Sequence, residues 1–196
     1  MMEKLGHALK EWQVAVNALE RGETILLLRK GGIREVGGKF AVQHEQVLLY
    51  PTYEHQKSEL LKPAYADQVQ PVESGWHSES VRIGAWAQIT HQFEVTQPEA
   101  VAGLVPFHIW NEAFVTERLK WKPNVPLSGL LLRVYRLAKP EVIPFLPVYG
   151  GCRSWIDLAE PMDLARSEAV LTDAAYHQQV DAIQSVIAME LQPANP

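Results

Sequence analysis

Cysteine is almost missing from this chain: Cys152 is the only one, so no internal disulfide can form. That excludes a small disulfide-stapled scaffold and suits a reducing compartment. Long apolar runs are missing too. Stretches such as Gly129-Leu130-Leu131-Leu132 stop far short of the ~20 residues that cross a bilayer, so no membrane partner is expected. The opening Met1 to His7 lacks an apolar core behind a basic start, which gives no secretory signal and points to a cytoplasmic protein. Basic charge is not in excess: 18 Lys and Arg stand against 23 Asp and Glu, a net charge of −5. This excludes a surface coated in positive charge for non-specific nucleic-acid binding, while leaving room for a local patch. The seven histidines, at 7, 44, 55, 77, 91, 108 and 177, form no HxxxH pair, so neither a metal nor a cofactor is expected.

What the chain does have is apolar bulk, 47% of its 196 residues, enough for a real core. Leu5, Leu9, Trp12, Val16 and Leu19 follow spacings of four and three, which predicts an amphipathic helix stopped at Arg21-Gly22. Thr24 to Leu28 reads as a buried strand, and Phe40 to Val42 and Gln46 to Tyr50 as two more. Thr52 is placed to cap a helix from Tyr53 to Leu61, ended by Pro63. Ser80 to Glu94 alternates apolar and polar residues as a long strand does. Pro98 and Pro106 open helical stretches, Leu127 to Leu137 is strand-like, and Glu141 to Val148 is an edge strand broken by prolines. Thr172 is placed to cap a last helix striped by Tyr176, Val180, Ile183, Ile187 and Leu191.

This order predicts an α+β fold: a curved, mainly antiparallel sheet or partial barrel flanked by helices, with a C-terminal helix. Residues 1–160 are expected to form one α+β domain. Residues 161–196 would be a helical extension packed on it, after a hinge at Asp157 to Glu168.

Three segments carry polar residues that packing alone does not call for. In the first, Arg29 and Lys30 run into Gly31 and Gly32, a turn whose amides and cations suit a phosphate or carboxylate. A solvated turn would look the same. In the second, Tyr53-Glu54-His55-Gln56 offers His55 as a general acid or base, with Glu54 beside it. Equally, His55 and Gln56 could simply satisfy backbone groups near the Pro51 turn. The third is Cys152-Arg153-Ser154-Trp155. A thiol nucleophile needs an adjacent base or cation, but a lone cysteine is more often a small buried hydrophobe. Arg153 could hold phosphate while Trp155 stacks on a base, or Trp155 could belong to the core. Arg118, Lys120, Lys122 and Arg133 around Trp121 form a second cation–aromatic group.

These stretches, with Ala8-Leu9-Lys10-Glu11-Trp12, Leu27-Leu28-Arg29-Lys30-Gly31-Gly32-Ile33, Tyr50 to Gln56 and Gly151 to Trp155, resemble the bacterial domain-of-unknown-function family 1802 over about residues 5–160. The family has no established activity. Its occurrence alongside restriction-type endonuclease domains implies DNA-related or defence work. The chain lacks a Pro-Asp…Glu-x-Lys nuclease signature, so the resemblance implies an accessory role in restriction rather than strand cutting.

Two functions fit. The leading one is a nucleic-acid or nucleotide-binding module for DNA, RNA or a free nucleotide. There Arg29, Lys30, Gly31, Gly32, Cys152, Arg153 and Ser154 line the ligand, and Tyr53, Gln56 and Trp155 complete the site. The alternative is a small hydrolase or phosphodiesterase-like enzyme with His55 as base, Glu54 orienting it, and Arg29 and Arg153 stabilising negative charge. A protein partner docked through the terminal helices is a third use, and would require their apolar stripes to stay exposed.

Overall fold

The computed structural model describes residues 4–30, 40–120 and 124–190. The N-terminal stretch is not one helix. Lys4–Trp12 is strand β1, and only Gln13–Arg21 is helical, as α1. Spacings of four residues preserve the parity of a strand as well as the face of a helix, so Leu5 and Leu9 fit either period. The switch occurs at Trp12, where the Trp12 amide bonds to the Glu11 carboxylate and the Val14 amide to the Gln56 side chain. At its other end α1 stops at Gly22, whose φ of 73° lies in the left-handed region. A Cβ there would also sit 2.8 Å from Leu171 Cδ2. We expect Gly22→Ala to cost about 1–2 kcal/mol from backbone strain and crowding; an unchanged urea midpoint would refute this.

The remaining strands are β2 (Leu26–Arg29), β3 (Gln46–Thr52), β4 (Ser80–Val95), β5 (Leu127–Pro144), β6 (Trp155–Asp163) and β7 (Glu168–Ala169). Short helices α2 (Pro63–Ala66), α3 (Pro98–Leu104) and α4 (Glu112–Lys120) lie between them, and α5 (Asp173–Glu190) closes the chain. The sheet order is β2-β5-β4-β3-β1-β6, with β7 added on β5. Only β1 and β3 run parallel; every other described pair is antiparallel. The fold is thus α+β on an open, mainly antiparallel sheet.

Four further expectations need correction. Phe40 to Val42 forms no strand. Tyr53 to Leu61 is a turn ending in a single 3-10 turn at Ser58–Leu60, and Pro63 begins a helix rather than ending one. Pro51 lies inside β3, which is permitted because β4 pairs only with Gln46 to Leu48 and leaves the Pro51 side unladdered. Glu141 to Pro144 is not a separate strand but continues β5 against Ser80 to Ile83. The stretch read as a hinge holds β6, paired to β1, and the start of β7.

Alternation along β1 and β3 feeds two clusters. Leu9, Val47 and Leu49 join the larger one with α1, α4 and α5, while Ala8, Leu48 and Tyr50 join a smaller one with Tyr149, Ile156 and Met162. Helix α5 is fixed by buried Tyr176, Val180 and Ile183, and the Thr172 hydroxyl accepts the Ala175 amide as its cap. Val16 and Leu19 of α1 and Tyr176, Val180 and Ile183 of α5 are turned into the core, Ile187 is half-buried, and Leu191 lies outside the described residues. No helix among the described residues is long and apolar enough to cross a membrane.

The sheet stays open, yet it curls enough for the end of one edge strand to reach the start of the other. Arg29, ending edge strand β2, donates to the Ser154 hydroxyl at 2.8 Å, just before edge strand β6. It also reaches the Lys10 carbonyl at 3.0 Å and the Glu11 carboxylate at 2.5 Å. Side chains, not a backbone ladder, form this seam.

Candidate functional site

Parallel pairing sets the ends of β1 and β3 side by side, with Trp12 opposite Thr52, and the antiparallel start of β6 comes to the same end. The curl of the sheet adds the end of β2. All three polar segments therefore meet, together with α4, around a cleft of about 250 Å³. Five cationic side chains line it (Lys10, Arg29, Lys30, Arg118 and Arg153) against two carboxylates, Glu11 and Glu54. On a protein of net charge −5 this is a local reversal of sign.

The cations differ in what they hold. Arg29 is engaged by Glu11 and Ser154 and lies 5.3 Å from the Phe40 ring, so it belongs to the seam. Buried Lys30 donates to the Arg118 and Leu119 carbonyls, capping the C-terminal end of α4 where the helix dipole favours a cation. Arg118 lies 5.0 Å from the Phe114 ring, and burial lowers its pKa. Arg153 is exposed at the rim. Lys10 donates to the Tyr149 and Gly151 carbonyls at 2.7 and 2.9 Å, leaving one of its three N–H groups. Burial lowers its pKa, Arg153 acts in the same direction, and Cys152 and Glu54 oppose.

On the opposite wall His55 has φ 65°, a left-handed conformation uncommon for a side-chain-bearing residue. Its Nε2 lies 3.4 Å from Glu54 Oε1, which also accepts the Gly75 amide at 2.7 Å. The helix expected here would have pointed the two apart; the turn brings them together. Gln56 is structural, since it caps α1. Tyr53 faces an adjoining cavity and packs edge-on to Trp76 at 5.8 Å. Cys152 is exposed and lines both cavities. Trp155 lines neither. It is buried, donates its indole N–H to the Ala41 carbonyl and stacks on Phe40. Gly31 and Gly32 lie outside the described residues.

The Arg118 group does not hold together as one patch. Arg118 faces the cleft, whereas Arg133 is buried and paired with Asp173 on α5. Trp121 and Lys122 are outside the described residues. Lys10 and Glu11 escaped sequence reasoning altogether, because on the expected helix they were merely polar positions. Elsewhere His7, His44 and Asp157 bring metal-ligating atoms within 4.8 Å of one another. His7 is 2.6 Å from Asp157 and stacked on His44 at 3.7 Å, a pin joining β1, the residue 40–45 loop and β6.

The family model described as Domain of unknown function (DUF1802) matches residues 8–182, most of the chain. This chain belongs to the DUF1802 family. The match takes in much of α5, beyond the residue-160 limit of the resembling motifs. No curated protein matches the DUF1802 chain. Among solved structures, two variants of ZmASCH from Zymomonas mobilis are similar to it at 10% identity. Their TM-scores are 0.40 and 0.42, covering 92% and 89% of this chain and 98% and 96% of theirs. Likeness that remote says nothing of what the DUF1802 cleft does.

Proposed function

We propose that this protein binds nucleic acid or nucleotide through phosphate held in the cationic cleft. One observation carries the reading: segments separated by up to about 140 residues converge on a cleft with five cations and two carboxylates, on an otherwise acidic protein. Burial limits water around Lys10 and strengthens its field on an anion, while Arg153 offers a planar, bidentate donor at the rim. Arg29 and Lys30, first candidates by sequence, shape the cleft from behind. Such a module suits a short, single-stranded or free-nucleotide ligand better than a long duplex, and fits an accessory recognition role beside DNA restriction or defence.

The test is fluorescence anisotropy with labelled single-stranded DNA, RNA and duplex across a salt series. We expect Arg153→Ala and Lys10→Met each to weaken single-strand binding and to lower the log–log salt slope by about 0.7, one phosphate contact. No binding at low salt, or unchanged slopes in both variants, would discard the reading.

The Glu54–His55 approach favours a second reading, phosphodiester hydrolysis with His55 as base and Arg153 stabilising developing charge. Turnover of bis(p-nitrophenyl) phosphate that is lost in His55→Gln would support it; turnover equal to buffer would exclude it.

A further inference from the structure

Beside the cationic cleft lies a second cavity of about 260 Å³. The two share Lys10, Thr52, Glu54, Gly151 and Cys152, so they are adjoining compartments of one depression. Their chemistry differs. The second is walled by Tyr50, Tyr53, Trp76, His77, Phe145 and Tyr149. His77 and Phe145 stack at 3.7 Å and 11°, presenting a flat aromatic surface. Trp76 stands 44% exposed against Tyr53, a large indole surface left at the cavity mouth. Within the wall, the buried Tyr50 hydroxyl has no hydrogen-bond partner among the described residues. That hydroxyl is walled off from the cavity, so the ring of Tyr50 rather than its oxygen belongs to the lining.

Resting on the phosphate-binding reading above, we propose that this cavity receives one nucleobase, unstacked from its neighbours, whose phosphate lies in the cationic cleft. A nucleobase is planar and aromatic and carries hydrogen-bonding groups on its edge, which matches ring walls bordered by Lys10, Thr52 and Glu54. The volume is just under the ~300 Å³ at which drug-sized pockets begin, enough for a base or nucleoside and too small for a paired duplex. Lys10, on the shared wall, faces the point where base and phosphate join.

The probe is 2-aminopurine, whose fluorescence falls when it stacks on an aromatic ring. It is supplied as riboside, as riboside 5′-monophosphate and within a single-stranded oligonucleotide, with an abasic oligonucleotide of equal length as competitor. Trp76→Ala, Tyr50→Phe and Arg153→Ala run beside the parent, each checked for folding by circular dichroism. Expected are quenching on binding and affinity roughly 5- to 100-fold weaker in Trp76→Ala, with Tyr50→Phe close to the parent because its hydroxyl is walled off. Arg153→Ala should weaken the monophosphate and oligonucleotide but not the riboside. Monophosphate binding without oligonucleotide binding would identify a free nucleotide as the source, and the converse a strand.

If the abasic strand competes as well as the intact one and Trp76→Ala does not matter, the base pocket is overturned while phosphate binding stands. If riboside and monophosphate quench equally and Arg153→Ala changes nothing, the phosphate reading falls and the base pocket stands. Silence from every probe rejects both.

Discussion

Replacing Glu11 with alanine is expected to destabilise the protein by about 3–5 kcal/mol, the range for breaking one partner of a buried ion pair. Glu11 is 6% exposed, its Arg29 partner 16%, and the two lie 2.5 Å apart. Removing the carboxylate strands the Arg29 charge in the seam between the sheet edges and frees the Trp12 amide at the start of α1. The cost therefore combines an uncompensated charge with a lost helix-entry bond. The double variant Glu11→Ala/Arg29→Ala should cost less than the sum of the singles, because the second substitution removes the stranded charge. Urea unfolding of all four proteins measures the cycle. A loss under about 1 kcal/mol in Glu11→Ala would mean that the pair behaves as a solvated one.

A second large effect should appear with pH. His108 is 2% exposed and neither ring nitrogen has a partner among the described residues. Burial, helped by the Lys62 charge and only partly offset by the nearby backbone of Trp110 and of His108 itself, lowers its pKa to about 4. In the unfolded chain an imidazole titrates near ~6.5. Between those values the unfolded state binds a proton that the folded state refuses, so stability is complete above about pH 6.5 and falls as pH drops toward 4. The loss should approach roughly 3 kcal/mol by pH 4.5. Other groups titrate in the same window, so the decisive quantity is the difference between the parent and His108→Phe. Urea unfolding at pH 7.5 and 4.5 should show a markedly flatter dependence in the variant. Parallel pH profiles would show that His108 takes up its proton without opening the core.

Where one face of an element meets the core along its whole length, the sequence pattern was readable. Ala85, Ala87 and Ile89 of β4 alternate into the larger cluster, and Tyr176, Val180 and Ile183 mark α5 at helical spacing. The register shift between Ile83 and Ala85 instead sends Val81 and Ile83 to the smaller cluster rather than the same face. The pattern failed where two periods coincide, as at Leu5 and Leu9, and where pairing changes along a strand, as at Pro51. The three polar segments were visible because their glycines, cations and His55 break the apolar pattern. What each residue does there was not. Glu11 owes its importance to Arg29, 18 positions away, and Lys30 owes its own to the end of α4, some 90 positions away. Local sequence carries no trace of such partners. Trp155 shows the converse error: an aromatic beside Arg153 looked like a stacking platform, yet alternation along β6 turns it inward onto Phe40.

The seam joining Arg29 to Ser154 also sets an order in time. A ribosome delivers Lys10 and Glu11 first, Arg29 soon after, and Ser154 only once most of the chain has been made. Until then β1 lacks β6, Lys10 lacks its Tyr149 and Gly151 carbonyls, and the cleft lacks the wall formed by Gly151 to Ser154. Fragments released early or clipped before residue 150 would carry most of the core residues but no complete cleft. If the cleft binds as proposed, capture is confined to finished molecules, and incomplete ones do not compete for the same ligand.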